Sequence, residues 1–319
     1  MTTRAPTRPL PRGRPRGGPA AIRPGQYLDP EVARRVARLD LKAKFIVQGF
    51  LAGLHDSPYR GFSLEYSESR KYVAGDDPKA LDWTVWAKTD RLCVRTFQAE
   101  TNLSAYLLVD TSRSMAFAGA PGAMTKLEYA TALAAAIGYL LTSQHDAVGL
   151  GLLGTDLQRL VAPHATRRHL VRILTDLATA PSGGQTHLAT GLHAVARRVR
   201  RRGLIVLLSD LLDDPDAVLD ALRHLVFRGH DVIVFQVLDA AERGLAVHGP
   251  VVLADPETGA EVATDADAIR AAYAARVDAF VGRYEREIRR LGADFAAMTT
   301  STPFDRALVR FLAERKRRL

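Results

Sequence analysis

The chain predicts an α/β fold: a doubly wound, mostly parallel sheet, covered by helices on both faces, with one antiparallel edge strand. Three observations carry this. Apolar runs without alternation recur at Ala105–Val109, Ala147–Leu153, Leu204–Leu208 and Val232–Val237, as strands buried on both faces require. Helical patterns separate them, opening near Lys126, Arg167, His187 and Asp214-Pro215, which is the alternation of strand–helix–strand units. Between Leu153 and Leu157 there is room only for the turn Gly154-Thr155-Asp156. Leu157–Ala162 therefore returns as a hairpin, placing one antiparallel strand at the edge.

Taken in order, residues 1–28 form an Arg/Pro/Gly-rich tail. Arg4, Arg8, Arg12, Arg14, Arg16 and Arg23 precede the first acidic residue, Asp29, and such a composition cannot bury a core, so disorder is expected. Residues 29–102 form an N-terminal extension. Asp29-Pro30 supplies an N-cap and a first helical residue for a helix reaching about Leu54, although Leu41 and Phe45 break its apolar stripe. Phe62–Tyr66 alternates as a strand does, and Leu92–Phe97 does so in part.

Residues 103–319 carry the sheet. A helix over Lys126–Ser143 precedes the strand at Ala147, and another near Arg167–Leu177 follows the hairpin. The helix from His187 is expected to run to Arg202. Gly229 closes the helix opened by Asp214-Pro215. Val251–Val262, with Asp255-Pro256-Glu257-Thr258-Gly259 at its centre, reads as a hairpin insertion. A long helix from Asp265 to Leu291 stops at Gly292, Phe295–Met298 is a last short strand, and Thr302-Pro303 opens the terminal helix.

Length and composition bound the classes. At 319 residues and 47% hydrophobic content, the chain can bury one large core with a smaller appended module. A single cysteine, Cys93, excludes an internal disulfide and suits a reducing cytoplasm; its strand-like neighbours mark it as a buried packing residue. Tyr129–Gln144 is uncharged but falls short of the roughly 20 apolar residues that a bilayer span requires. No apolar core follows the N-terminal arginines, so no secretory signal is read there. The net charge of +9 comes mostly from the tail. The clusters Arg197–Arg202 and Arg315–Arg318 end predicted helices, where they complement the helix dipole. No helix-turn-helix, zinc or RNA-binding pattern accompanies them, so sequence-specific nucleic-acid recognition is not expected.

Asp110-Thr111-Ser112-Arg113-Ser114 is the most telling stretch. It follows a buried apolar run and delivers one carboxylate and two hydroxyls to the rim of the sheet. Such an all-oxygen half-cage suits a hard divalent cation such as Mg²⁺, or Mn²⁺. Ser182-Gly183-Gly184-Gln185-Thr186 enters a later helix on a hydroxyl, and Leu204–Asp210 is another strand ending on a carboxylate. Adjacent parallel strands bring their C-terminal ends to one edge, so Asp110, Ser112, Ser114, Thr186 and Asp210 can converge there as metal ligands. Each has a plainer alternative: turn capping for Asp110 and the serines, an N-cap for Thr186, a turn residue for Asp210.

In order and spacing these residues resemble the metal-ion-dependent adhesion site of von Willebrand factor A domains. That resemblance implies an ion held by Asp110, Ser112, Ser114, Thr186 and Asp210, with one position open for a partner's acidic side chain. Leu211 stands where many such domains carry Gly, and Asp213 and Asp214 lie close by.

A second signature precedes this one. Arg70, Tyr72, Gly75, Asp76, Asp82 and Trp83 lie in a turn-rich, aromatic stretch that also holds Trp86. Buried tryptophans and an internal Arg–Asp pair give it a structural reading. Together with Ser57-Pro58-Tyr59-Arg60-Gly61, Glu100–Leu103 and the Asp110 motif, it closely resembles the bacterial family called domain of unknown function 58, from about Gly53 to the C-terminus. Lys88 replaces the Arg of many members. The resemblance implies an adaptor or co-chaperone that works with a MoxR-type AAA+ ATPase or its client protein. Many members have N-terminal membrane helices, whereas no span is read in this sequence, so a non-enzymatic role in the cytoplasm is expected.

A metal-assisted phosphohydrolase is the alternative. Clustered strand-end Asp residues are compatible with it, but His187 is the only nearby base in sequence and reads as a surface helix-start residue. No nucleophile elbow occurs, and Gly119–Lys126 lacks the Gly-Lys-Ser/Thr ending of a phosphate-binding loop.

Overall fold

The computed structural model describes residues 30–55, 69–72, 83–95, 103–120, 122–184, 187–255, 257 and 259–316. The N-terminal tail, Phe62–Tyr66, Gly75, Asp76, Asp82 and Thr186 lie outside them, as do the side chains of Arg70, Trp83 and Cys93.

Six strands make the central sheet: β3 (Ser104–Asp110), β4 (Ala147–Leu153), β5 (Leu157–His164), β6 (Leu204–Ser209), β7 (Asp231–Leu238) and β10 (Asp294–Thr299). Their spatial order is β10-β7-β6-β3-β4-β5. Every neighbouring pair is parallel except β4 with β5. This is the doubly wound sheet with one antiparallel edge strand that the apolar runs predict. The reason is burial: β6 is buried at every position and β7 at all but its first, so neither face can meet water.

Each face has its own core. On one side α1 (Pro30–His55), α3 (Lys126–Ser143), α4 (Arg167–Ala178) and α9 (Phe304–Lys316) pack over Leu107, Val109, Val206 and Phe235. On the other, α5 (Leu188–Arg198), α6 (Pro215–Phe227) and α8 (Ala266–Arg290) cover Leu108, Ile205, Leu207 and Val234. The alternation of neighbours along β3 and β6 between these two sets is the period-2 rule of a strand. Helix α3 is Ala-rich because it runs close over the sheet, and Ala130 and Ala132–Ala136 are wholly or almost wholly buried. Helix α1 places Ala43 and Val47 in the same core, while Leu41, off its stripe, is 55% exposed.

Several boundaries differ from the expectation. Helix α5 ends at Arg198, four residues before Arg202, because Val199 turns extended and buries its side chain on the way back to β6. The second half of the Arg197–Arg202 cluster therefore lies beyond the helix. Strand β5 continues to His164. A short helix α7 (Ala240–Gly244) was not expected, although Asp239 and Glu242 form a reciprocal capping box at its start. The insertion is a separate two-stranded hairpin, β8 (Pro250–Ala254) with β9 (Glu261–Asp265).

In the N-terminal extension, β1 (Ser69–Lys71) pairs antiparallel with β2 (Cys93–Arg95), joined through α2 (Trp83–Thr89). Trp86 is 43% exposed, contrary to the buried role expected of both tryptophans: on this short helix it faces outward. No helix of the described residues is long and apolar enough to cross a membrane.

Candidate functional site

The parallel register builds the site. Val109 of β3 lies opposite Leu208 of β6, so Asp110 and Ser209 come next, side by side, at the C-terminal edge of the sheet. Both are buried, as is Asp210 one residue on. After Asp110 the chain makes a tight loop and one 3₁₀ turn, Ser114–Ala116. Thr111 anchors that loop, since its amide and its hydroxyl both donate to the Leu153 carbonyl at the end of β4.

Within the loop the oxygens converge. The Ser112 amide donates to Asp110 Oδ1 at 2.9 Å, and the hydroxyl oxygens of Ser112 and Ser114 lie 3.0 Å apart. The Ser209 hydroxyl donates to Asp110 Oδ2 at 2.6 Å. Burial, and then the neighbouring Asp210 carboxylate, push the Asp110 pKa up to about 7, against the pull of these hydrogen bonds. A buried carboxylate held in this way gains from a nearby cation.

The loop carrying Thr186 reaches the same place. Gly183 donates its amide to the Thr111 carbonyl at 3.1 Å, and the Gly184 carbonyl accepts from the Arg113 amide at 3.3 Å. Gly184 has φ +87°, a backbone conformation that favours glycine. Two residues before Thr186, the chain is therefore docked on the Asp110 loop, while Thr186 itself lies outside the described residues.

Asp210 is placed differently from the other candidates. Its Oδ2 accepts from the Lys126 ammonium at 2.8 Å and its Oδ1 from the Leu212 amide at 3.1 Å. Lys126, the first residue of α3, is fully buried and also donates to Glu242 Oε1 of α7 at 2.6 Å. Burial alone would lower the Lys126 pKa, but the two carboxylates outweigh it and raise it. Asp213 and Asp214 are engaged elsewhere: Asp213 accepts from the Ala189 amide at the start of α5, and Asp214 caps α6.

Leu211 is in the left-handed region at φ +61°, which explains why a glycine suits this position. Its carbonyl accepts from the Tyr284 hydroxyl, and the Asp210 carbonyl accepts from Gln236 Nε2.

Three residues of this site escaped sequence reasoning. Ser209 was visible as the strand residue before Asp210, but its contact depends on the β3–β6 register. Lys126 carried no local signal. Glu257, at the tip of the β8–β9 hairpin, accepts from the Ser114 amide at 3.4 Å from 143 residues away. His187 is an exposed residue at the start of α5, as expected, with its amide on the Gly154 carbonyl. Among the described residues no cluster of three His, Cys, Asp or Glu side chains could hold a metal ion. An oxygen set built from one carboxylate and two hydroxyls is not of that kind, and its chemistry suits a hard cation. Of the second signature, Arg70 lies in β1 opposite Val94 and Tyr72 donates its amide to the Leu92 carbonyl.

Comparison with known proteins places the chain. The family model described as protein of unknown function DUF58 matches residues 68–280. An uncharacterized protein of Mycobacterium tuberculosis, Rv1480, is 34% identical over 313 residues, covering 94% of this chain and 96% of its own length. An uncharacterized protein of Mycobacterium avium, MAV169, is 35% identical over 165 residues, covering 49% of this chain and 94% of its own. Among solved structures, BatB from Bacteroides thetaiotaomicron is 15% identical with a TM-score of 0.42, covering 66% of this chain and 98% of that one. The VWA domain of SpRpn10 is 11% identical with a TM-score of 0.36, covering 65% and 93%. The family model matches two thirds of the chain and a relative 34% identical covers nearly all of it, so the chain belongs to the DUF58 family.

Proposed function

We propose that this protein is a non-enzymatic interaction module that holds a divalent cation, Mg²⁺ or Mn²⁺, at the C-terminal edge of its sheet and uses it to bind a carboxylate of a partner protein. The observation that carries the reading is the convergence of the Asp110 carboxylate with the Ser112 and Ser114 hydroxyls at one buried point. Asp110, Ser112 and Ser114 would hold the ion, with Thr186 and Asp210 as the further ligands that the resemblance implies. The ion supplies a positive charge that a bare carboxylate site lacks, and a partner's Asp or Glu would complete it.

Binding is favoured over hydrolysis by the site's own groups. The basic side chain in contact with its carboxylates, Lys126, is charged and held by two of them, so it offers no proton acceptor. Resemblance to the family supports a MoxR-type AAA+ ATPase, or that ATPase's client, as the partner, with the pair acting in the cytoplasm on the assembly or activation of other proteins.

The test is capture of the MoxR-type ATPase from the same organism by tagged full-length chain in Mg²⁺, beside EDTA and Asp110→Ala arms. Retention by the wild type in Mg²⁺ alone is expected. Equal retention in all three arms would remove the metal from the interaction, and phosphate-ester turnover lost with Asp110→Ala would replace the reading by the hydrolase.

A further inference from the structure

The Lys126–Asp210–Glu242 triad is the part of the site that the oxygen donors do not explain. An ammonium group without solvent exposure is rare, and it persists where its charge is matched. Here it is matched twice, by Asp210 at 2.8 Å and Glu242 at 2.6 Å, and it lies 5.8 Å from the Phe117 ring centroid. The second Glu242 oxygen accepts from the Asp239 amide, so this carboxylate is oriented by the start of α7. Asp239 is fixed in turn by the Ala241 amide and the Thr300 hydroxyl. The ammonium is thus held by three elements, α3, the end of β6 and α7.

We propose that Lys126 is a built-in counter-cation of the proposed metal site. It draws Asp210 outside the inner shell of an ion held by Asp110, Ser112 and Ser114, and it limits the negative charge around that ion. The inference rests on the metal-binding reading and concerns how the site chooses its last ligand. Asp110, Asp210, Glu242 and Glu257, the last on the Ser114 amide, carry four negative charges and Lys126 one positive charge, a net of −3 that a divalent ion reduces to −1. A partner's carboxylate then meets a site left with a single negative charge. Without the ammonium it would meet a site with one more negative charge, and like charges in a buried site repel strongly. Lys126 is in this sense a positioning residue, and Glu242 sets how much of its charge is left over.

Two variants of the full-length chain shift this balance in opposite directions. The readouts are Mn²⁺ affinity by direct titration and the loss of Mn²⁺-bound water, followed by proton relaxation, when acetate is added. Glu242→Gln removes one negative charge and is expected to weaken Mn²⁺ binding by about tenfold while strengthening acetate binding. Lys126→Met is expected to do the reverse, with tighter Mn²⁺ and weaker acetate. A merely structural role for the triad would weaken Mn²⁺ binding in both variants. That common direction, or wild-type values for Glu242→Gln, would overturn the proposal.

Circular dichroism reports whether Lys126→Met folds. If it does not, the sign of the two changes in Glu242→Gln decides alone. An Asp110→Ala arm separates the underlying reading: Mn²⁺ bound equally well by that variant, or not bound by the wild type, means that the metal site itself is absent, and the counter-cation role falls with it.

Discussion

At the scale of single residues, the site shows how position in the sheet changes what a side chain does. Asp110 and Asp210 are both strand-end carboxylates, yet their partners differ. Asp110 is met by neutral donors, the Ser112 amide and the Ser209 hydroxyl, whereas Asp210 is met by an ammonium. Leu211 is the most unusual residue between β6 and α6. It has φ +61° with its side chain wholly buried among the α5, α6 and α8 residues. Replacing it with glycine removes a backbone strain of about 1 kcal/mol. The same change removes a buried leucine side chain, worth about 2–5 kcal/mol. The second effect is the larger, so Leu211→Gly should lower stability by about 1–4 kcal/mol in a urea titration. A rise in stability would mean that the strain outweighs the packing.

At the scale of elements, α3 does two jobs because of where it begins. Its N-cap Thr125 accepts from the Glu128 amide, and Glu128 returns a carboxylate to the Thr125 amide. That box fixes the first turn, and Lys126 is its first residue. Thr125→Ala should therefore cost about 1 kcal/mol of stability in thermal or chemical unfolding. Loss of more than that would show that the cap also holds the buried triad in place. The preceding loop is pressed against α7: a Cβ on Gly119 would fall 2.2 Å from Asp239 Oδ1, so only glycine fits there without displacing the carboxylate. The β8–β9 hairpin is the other neighbour of the site. It brings the Glu257 carboxylate to the Ser114 amide while leaving Val252 and Val262 exposed on its strands.

At the scale of the whole molecule, two buried groups make stability depend on pH in opposite senses. His230, just before β7, is only 3% exposed, and burial lowers its pKa below 6.5 against the nearby Val199 and Gly203 carbonyls. The fold favours its neutral form, so that contribution is complete above pH 6.5 and is lost as the pH falls through the folded value. Asp110 is raised from 3.8 to about 7, so the fold favours its protonated form. Its contribution is complete below pH 3.8 and is lost as the pH rises through about 7. A divalent cation bound there would favour the ionised form and cancel that loss. The rise in melting temperature on adding saturating Mg²⁺ should therefore be larger near pH 8 (about one unit above the Asp110 value) than near pH 6. An equal rise at both would place the ion away from Asp110.

The sequence by itself determined the sheet and most of its helices, because buried parallel strands leave continuous apolar runs and helices leave caps. Asp110, Ser112 and Ser114 were legible for a related reason: they sit on one short loop directly after such a run, so their convergence is local. Tertiary structure alone decided which groups reach them. Ser209 meets Asp110 only through the pairing of β3 with β6, and Lys126 meets Asp210 and Glu242 across 84 and 116 residues. A lysine at the start of a helix reads as a solvated charge in any local window. What makes it a buried counter-cation is the stacking of α3, β6 and α7 around it, which no stretch of neighbouring residues encodes.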